Sequence, residues 1–599
     1  MVTVLSMIIS TPLGRPCKVR PPDAHLKEFT RMPLSISVAT TADRSAIYRM
    51  RHDVYAEELR QHESSPDGIL PDSSDINSIY ITAIIDKTLA GFVGITPPSS
   101  PSYSVDKYLP RNEIPINFNE HLYEIRALTV RPSLRGFHIA GCLMYAAFRW
   151  IEAHRADQIL SMGRREIVDM YLRLGLRLLG PSVQCGAVTY DLLGAEVSVI
   201  ASQLEQFRSR LERMEKYVDW KLGIAFRRPS ECFHGGAFFD AIGDQFDDLT
   251  RRKNIINADV LDAWYPPAPA ASQALQTQLP WIMRTSPPTR ASGLEKLVAK
   301  AREVEDDSIL AGGGSSSLIF LAFRYWLKPS SKVLILDPTY GEYIHVLDEI
   351  IHCKVERFLL HRRDGYCLNL ESLRKKLAEG FDLFVWVNPN SPTGLHVAKA
   401  DVEAVLKESS ECRRVWIDET YVDYIGLEHS LEKFAANSDN VLVCKSLSKV
   451  YALSGLRAAY LCASPHQLEE LRVLTPPWSV SLPAQIAAAH ALKSDDYYNM
   501  RFRETHKLRA GLICGLQELG ITEIIPGCAN FVMFHLPVEY VSSEYIVKTC
   551  RTHGLYLRDV SGMGSAIGNR AIRVAVKDAS TNQRILEILE KALERAIAP

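Results

Sequence analysis

Cysteine is scarce and scattered. The 599 residues hold 12 of them, with no C-x-x-C pair and no Cys/His spacing of the kind that ligates zinc. That leaves no disulfide framework and no metal site to expect, and it suits a reducing, cytoplasmic setting. An excess of either charge is missing too: Lys+Arg number 69 and Asp+Glu 70, for a net −1. No overall field therefore recruits nucleic acid or a membrane surface. No apolar run reaches bilayer length. The opening MVTVLSMIIS is apolar, but it is short and lacks the basic stretch of a secretion signal. No internal repeat is present. Residues 1–34, with Pro12, Pro16, Pro21, Pro22 and Pro33, read as a disordered leader.

What is present is ordinary globular material, 47% hydrophobic and 23% charged, at a length for several average domains or fewer large ones. Residues 35–195 read as a mixed α/β unit. Ser45–Leu59 has helical spacing, and Ser78–Ile85 with Ala90–Ile95 suggests a hairpin. The strand Tyr123–Val130 runs into the basic, glycine-containing loop RPSLRGFHIAG and then a helix from Cys142 to His154. Backbone N–H groups at such a helix start are a ready site for a pyrophosphate. Val197, Ile200, Leu204, Phe207, Leu211, Met214 and Val218 recur at three- and four-residue steps, which predicts one amphipathic helix inside a connector over 196–249. From about 250 onward, strand–helix alternation predicts a mostly parallel sheet with helices on both faces. Short apolar runs at Lys332–Leu336, Phe384–Val387, Val415–Ile417 and Val441–Cys444 are its strands.

Five loops in this second half carry chemistry, as the carboxyl ends of parallel strands lead one to expect. Ala311–Ser317 (AGGGSSS) opens a helix and can nest a phosphate. Asp337–Tyr343 (DPTYGEY) offers Tyr340 to a flat ring. Asn388–Gly394 (NPNSPTG) presents an asparagine amide. Asp418, at the end of a buried strand, bears a desolvation cost unless it meets a cation. Lys449 follows the buried strand Val441–Cys444 in VLVCKSLSKVYALSGLRAAY, where a partly desolvated amine can form a Schiff base, and Ser446, Ser448 and Arg457 offer phosphate donors beside it.

In this order the five loops resemble the aminotransferase class I/II family of pyridoxal-phosphate enzymes, fold type I, over residues 250–599. Within it they are similar to the histidinol-phosphate aminotransferase and threonine-phosphate decarboxylase branch. The resemblance implies that Lys449 is the Schiff-base and proton-shuttling lysine. Asp418 pairs with the pyridinium nitrogen, and Tyr421 bonds the ring hydroxyl with Asn390, or Asn388, beside it. Tyr340 stacks on the ring, while Ser315, Ser316, Ser446, Ser448 and Arg457 hold the phosphate. Arg573 grips the substrate carboxylate, Arg558 is a second substrate arginine, and Tyr265 stands at the substrate entrance. It also implies a homodimer or larger homo-oligomer, since a neighbouring subunit completes such sites. The usual Arg-Tyr-Pro turn is here Arg284-Thr285-Ser286-Pro287-Pro288, and the entrance Asp262–Pro269 (DAWYPPAP) is bulkier than the usual Asn-x-Asn-Pro.

The first half resembles the GNAT acyltransferases. Arg135, Gly136 and Ala140 fit their acyl-CoA loop, His138 stands where they carry glycine, and Tyr171 takes the position of the acid that protonates the leaving thiolate. Arg49–Glu58 and Asp72–Tyr80 resemble the autoinducer-synthase branch of that superfamily. Together the resemblances imply pyridoxal phosphate in the second half, acetyl-CoA or another acyl-CoA in the first, and an amino-acid-type substrate. They point to an aminotransferase-like enzyme with a fused acyltransferase or accessory domain, working in natural-product metabolism. Three alternatives stand beside transamination. One is decarboxylation, and another is β- or γ-replacement or C–C bond formation on an S-adenosylmethionine-like amino acid. The non-enzymatic alternative is a degenerate binding scaffold.

Overall fold

This computed structural model describes residues 34–135, 138–224, 235–243, 246, 248–408 and 413–594. Apart from Leu34, the leader lies outside the described residues, as does Gly136. The chain divides into two units, Met1–Ser230 and Glu231–Pro599.

Among the described residues the first unit holds an eight-stranded sheet. Its order is Arg177–Cys185, Val188–Glu196, Gln158–Arg164, Leu122–Val130, Thr88–Thr96, Ile79–Ile85, Leu34–Val38 and Asp219–Lys221. The predicted hairpin is there, with Ile79–Ile85 antiparallel to Thr88–Thr96. Helix Ile139–Ala153 buries Cys142, Leu143, Ala146, Ala147 and Ile151. Its Leu143 lies so close to the sheet that a Cβ on Gly91 would meet Thr129 O at 2.7 Å and Leu143 Cδ1 at 3.1 Å. One feature positions a cleft. Leu122–Ile125 pairs in parallel with Gln158–Ser161; beyond that the two strands no longer pair with each other, although each keeps its outer neighbour, one as far as Val130 and the other as far as Arg164.

The connector differs from expectation. Its apolar spacing continues, but the backbone leaves the helix at Phe207 (φ −109°, ψ 11°), giving Val197–Glu205 and Arg208–Tyr217. Val197, Ile200, Leu204, Leu211 and Met214 pack on the first unit's own core. Asp219–Lys221 then pairs in parallel with Ser35–Ser37. This part of the connector belongs to the first unit rather than linking two.

The second unit is built on a seven-stranded sheet ordered Ile309–Gly312, Ala459–Cys462, Val441–Ser446, Val415–Asp418, Leu383–Val387, Lys332–Asp337 and Lys354–Leu359. All neighbours run parallel except those of Ala459–Cys462. The four predicted strands are present, and their near-continuous apolar runs are buried on both faces. A smaller antiparallel sheet, Glu523–Ile525, Phe531–His535, Ala571–Ala575 and Arg558–Asp559, brings the C-terminal arginines together. The last helix, Ala579–Glu594, buries Ile585, Leu589, Ala592 and Leu593.

Candidate functional site

Strand ends of the seven-stranded sheet deliver the second unit's polar groups. Strand Val415–Asp418 ends on a buried acid. Asp418 Oδ2 accepts from Tyr343 Oη at 2.8 Å, and Oδ1 accepts from Thr420 N at 3.0 Å and Thr420 Oγ1 at 2.6 Å. Burial raises its carboxyl above the usual range, against those hydrogen bonds. Among the described residues no cation pairs with it. Tyr421, three residues on, is buried with its ring edge-on to Phe531 at 5.3 Å. Burial drives its phenol far up.

The neighbouring strand, Val441–Ser446, passes into the short turn Leu447–Val450, capped by Ser446 Oγ accepting from Ser448 N. Lys449 points from this turn to the entrance loop, donating to Asp262 Oδ1 at 2.8 Å. Burial lowers the amine's pKa; Asp262 opposes that, and Arg457 and Arg573 add to it. Arg457 donates to Ser448 Oγ at 3.3 Å and Ser454 O at 3.2 Å. It also lies against Gly314, where a Cβ would meet Nη2 at 2.6 Å, and Gly314 has φ +98°. Only glycine gives a guanidinium this approach to the start of helix Ser315–Trp326. The helix's first N–H groups and Arg457 thus form a cradle for a dianion. Ser316 turns its hydroxyl to Glu342 Oε2 at 3.0 Å, and Tyr340 Oη donates to the same oxygen at 2.9 Å.

The turn Asn388–Gly394 separates its two asparagines. Asn388 is spent on Val397, donating Nδ2 to its O at 3.0 Å and accepting from its N at 2.8 Å. Asn390 donates to Pro338 O at 3.1 Å, and its buried Oδ1 has no partner. From the small sheet, Arg573 donates to Ser391 Oγ at 3.0 Å and to Asp259 O at 3.2 Å. A buried guanidinium bonded to neutral oxygens is suited to an incoming carboxylate, and burial brings its pKa down to about 10. Arg558 is its cross-strand partner and pairs with Asp259 Oδ1 at 2.9 Å.

Tyr265, expected at the substrate, lies instead in the core. It is 3% exposed, and its hydroxyl donates to Val450 O at 2.8 Å. The ring thereby holds the turn that carries Lys449. Sequence reasoning missed Asp262 on Lys449, Tyr343 on Asp418 and Ser391 on Arg573. It also missed a buried charged cluster: Lys445 donates to Asp423 Oδ1 at 2.5 Å, and Arg302 lies 3.6 Å from both Asp423 and Glu432. Charges inside the apolar runs were the available signal.

In the first unit a cleft opens where the parallel strands part, lined by Arg126–Val130, Met162, Arg164, Tyr171, Arg135 and Glu58 among others. Arg51 clasps Asp75 through two 2.9 Å hydrogen bonds. Lys107 bonds both oxygens of Asp72 at 2.9 Å, with Arg126 3.4 Å from the same carboxylate. Arg135 pairs with Glu58 and donates to Val130 O at 3.2 Å. Tyr171 is buried, its ring against Gly163, where a Cβ would be 2.8 Å away; burial pushes its phenol up to about 12. Ala140 is half-buried in the first turn of helix Ile139–Ala153. Among the described residues no group of three or more His, Cys, Asp or Glu side chains is placed to hold a metal ion. No helix among them is long and apolar enough to cross a membrane.

The second unit's donors fit pyridoxal phosphate on three counts: buried Asp418 with no cation among the described residues, an orphaned Asn390 oxygen, and an anion cradle floored by Gly314. The sheet and this donor set are those of a pyridoxal-phosphate-dependent enzyme of fold type I. Residues 263–590, a little over half of the 599, match the family "Aminotransferase class I and II", and the chain belongs to it. Residues 46–197 match "N-acyl amino acid synthase FeeM", which bears out the acyltransferase resemblance of the first unit. The histidinol-phosphate aminotransferase of Methanocaldococcus jannaschii is 26% identical over 301 residues, 50% of this chain and 79% of that protein. Histidinol-phosphate aminotransferase from Sinorhizobium meliloti, solved in complex with pyridoxal-5'-phosphate, is similar at a TM-score of 0.53 and 18% identity, covering 56% of this chain and 90% of that one. L-threonine-O-3-phosphate decarboxylase from Porphyromonas gingivalis is similar at 0.50 and 20%, covering 57% and 100%. At such identities the structural likeness establishes the fold alone.

Proposed function

We propose that this enzyme uses pyridoxal phosphate in its second unit to carry out an aminotransferase-type reaction on an amino acid, and that its first unit transfers an acyl group to an amine. The observation that carries the reading is the arrangement of Lys449, Asp418 and Arg573 on three separate segments: Asp418 and Arg573 are buried with only neutral hydrogen-bond partners, and Lys449 is partly buried on Asp262. When bound, pyridoxal phosphate supplies the electron sink that lets a bond to the substrate α-carbon break. The chain's residues do the rest. Asp418 would pair with the ring nitrogen. Arg457 and the N–H groups at Gly314–Ser316 would hold the phosphate, aided by Ser446 and Ser448. Asn390 and Tyr421 would serve the ring hydroxyl, Tyr340 would pack on the ring, Arg573 would orient the substrate carboxylate, and Lys449 Nζ would take and return the α-proton.

In the first unit, the unpaired strand edges where Leu122–Val130 leaves Gln158–Arg164 offer backbone partners to an extended, amide-bearing acyl carrier such as acyl-CoA. Tyr171, a phenol held in its protonated form, is the acid for the leaving thiolate. An acyltransferase beside an amino-acid enzyme suits tailoring in natural-product metabolism, with the amine used or made by one unit acylated by the other. The described cysteines are all free thiols, as a cytoplasmic enzyme would keep them. Trp281, Met283, Val473 and Trp478 of the second unit are exposed apolar side chains of the kind a second copy of the chain would cover.

The test is direct. Full-length protein with pyridoxal phosphate is expected to show a cofactor absorbance band that Lys449→Ala abolishes. Mass analysis of products from an amino-acid panel, with and without acyl-CoA, separates transamination from decarboxylation and replacement. A protein that cannot be loaded with the cofactor would sink the reading.

A further inference from the structure

Lys449 is not the only amine at its carboxylate. Lys577, just past the buried strand Ala571–Ala575, donates Nζ to the backbone oxygen of Asp262 at 3.3 Å. Asp262 Oδ1 accepts from Lys449 at 2.8 Å. The three residues come from the entrance loop, the lysine turn and the C-terminal strand, and both amines meet at one residue of the loop. Ser454 is a further polar neighbour of Asp262; Arg457 and Arg573 face Lys449, and Asp578 faces Lys577. This neighbourhood holds more cations than carboxylates, in a site partly shielded from water, with the Lys449 and Asp262 side chains 20% and 35% exposed. Burial lowers Lys577 to about 8, with Asp262 opposing and Lys449 adding to it. It lowers Lys449 as well. Asp262 is held low: burial would raise it, but Lys449, Ser454 and Lys577 together outweigh that.

A lone Asp262–Lys449 ion pair would be a poor arrangement for a lysine that must give up its proton. A carboxylate at hydrogen-bond distance in a desolvated site locks the amine as an ammonium. A second ammonium at the same residue weakens that hold.

We propose that Lys577 is a positioning residue for the reactive lysine: its ammonium, anchored on the Asp262 backbone oxygen beside the carboxylate that holds Lys449, puts a second positive charge next to the Lys449 amine and so keeps that amine free to release and recover its proton. Asp262 aims the amine, and Lys577 sets how tightly the proton is held. When Lys449 is engaged elsewhere, Lys577 remains as the cation that balances Asp262. This inference rests on the reading of Lys449 as the cofactor lysine.

The test reads proton affinity rather than turnover. Full-length protein freed of cofactor is labelled with acetic anhydride across a pH series, and the acetylation of each lysine is followed by peptide mass spectrometry. Lys449 of the unaltered protein is expected to reach half-maximal labelling well below the exposed lysines. In Lys577→Met that midpoint moves up by about one pH unit, roughly a tenfold slower reaction near neutrality, the scale of one nearby charge in a partly screened site. Lys577→Arg keeps the charge and leaves the midpoint in place. Asp262→Asn moves it down. Buried Lys445, held by Asp423, stays unlabelled while the fold is intact and reports any variant that does not fold. An unmoved midpoint in folded Lys577→Met overturns the proposal. So does a Lys449 midpoint in the unaltered protein at or above that of the exposed lysines, which needs no variant. Loading with pyridoxal phosphate should shield Lys449 from the reagent. If it does not, the reading of Lys449 as the cofactor lysine falls, whatever Lys577 does.

Discussion

The cleft of the first unit and the strand-end site of the second are both lined with charge, yet they treat it in opposite ways. In the first unit the charges satisfy one another: Arg51 clasps Asp75, Lys107 and Arg126 share Asp72, and Arg135 holds Glu58. In the second unit Asp418 has only neutral donors and Arg573 only neutral acceptors as hydrogen-bond partners. Burying a charge without a counterion is costly, so a unit that does it twice is arranged for a partner that brings the missing charges. A pyridinium and a carboxylate are the partners proposed above. Unpaired buried charge at Asp418 and Arg573 marks where a ligand would sit.

The comparison breaks if removing a charge has the same effect in both places. The largest effect is expected from Arg51→Met. It leaves Asp75 buried without its clasp and should cost the first unit about 3–5 kcal/mol, seen as a lower denaturant midpoint. Asp418→Asn should do the reverse to stability. The carboxyl of Asp418 is held above its ordinary range, so as pH rises the unfolded chain loses this proton first. Above the folded pKa, keeping the ionised group buried is a net cost. The cofactor-free variant should therefore be at least as stable as the parent near neutral pH, with the gain vanishing as pH falls below the carboxylate range. Its pyridoxal phosphate affinity, measured by equilibrium titration, should drop about 100-fold, the scale of one lost buried charge pair. A cofactor-free variant less stable than the parent would show that Asp418 is structural after all.

How much of this was legible in the sequence follows the same division. Lys449, Asp418, Asn390 and Arg457 each sit within a few residues of a buried strand's end, so a short apolar run followed by a polar turn exposes them to inspection. Asp262 against Lys449 and Ser391 against Arg573 are 187 and 182 residues apart. No local period records such contacts. Tyr265 misleads for a related reason: an aromatic in an entrance loop looks like a substrate contact, and only the fold shows its hydroxyl on Val450. The helix predicted across Val197–Val218 breaks at Phe207 although the apolar spacing runs on, because periodicity reports which side is buried and not whether the backbone stays helical. Arg135 was legible as a basic loop residue, but its partner Glu58 lies 77 positions away.

That last pair offers the smallest and sharpest test. Arg135 and Glu58 are both partly exposed, at 41% and 33% of their side-chain surface, so their mutual attraction is weak, about 0.2–1 kcal/mol. The Arg135 hydrogen bonds hold the Glu58 carboxyl below its usual range, so the pair is intact at neutral pH. An acyl-CoA pyrophosphate gripped by Arg135 must first displace Glu58. Glu58→Gln should then tighten acyl-CoA binding by up to about fivefold, the pair's energy returned as affinity, while Arg135→Ala weakens it. Calorimetry on the full chain reads both changes. If neither substitution moves the affinity, the pair is scaffolding like its neighbours, and the acyl carrier enters between the parted strands without using the loop at Arg135.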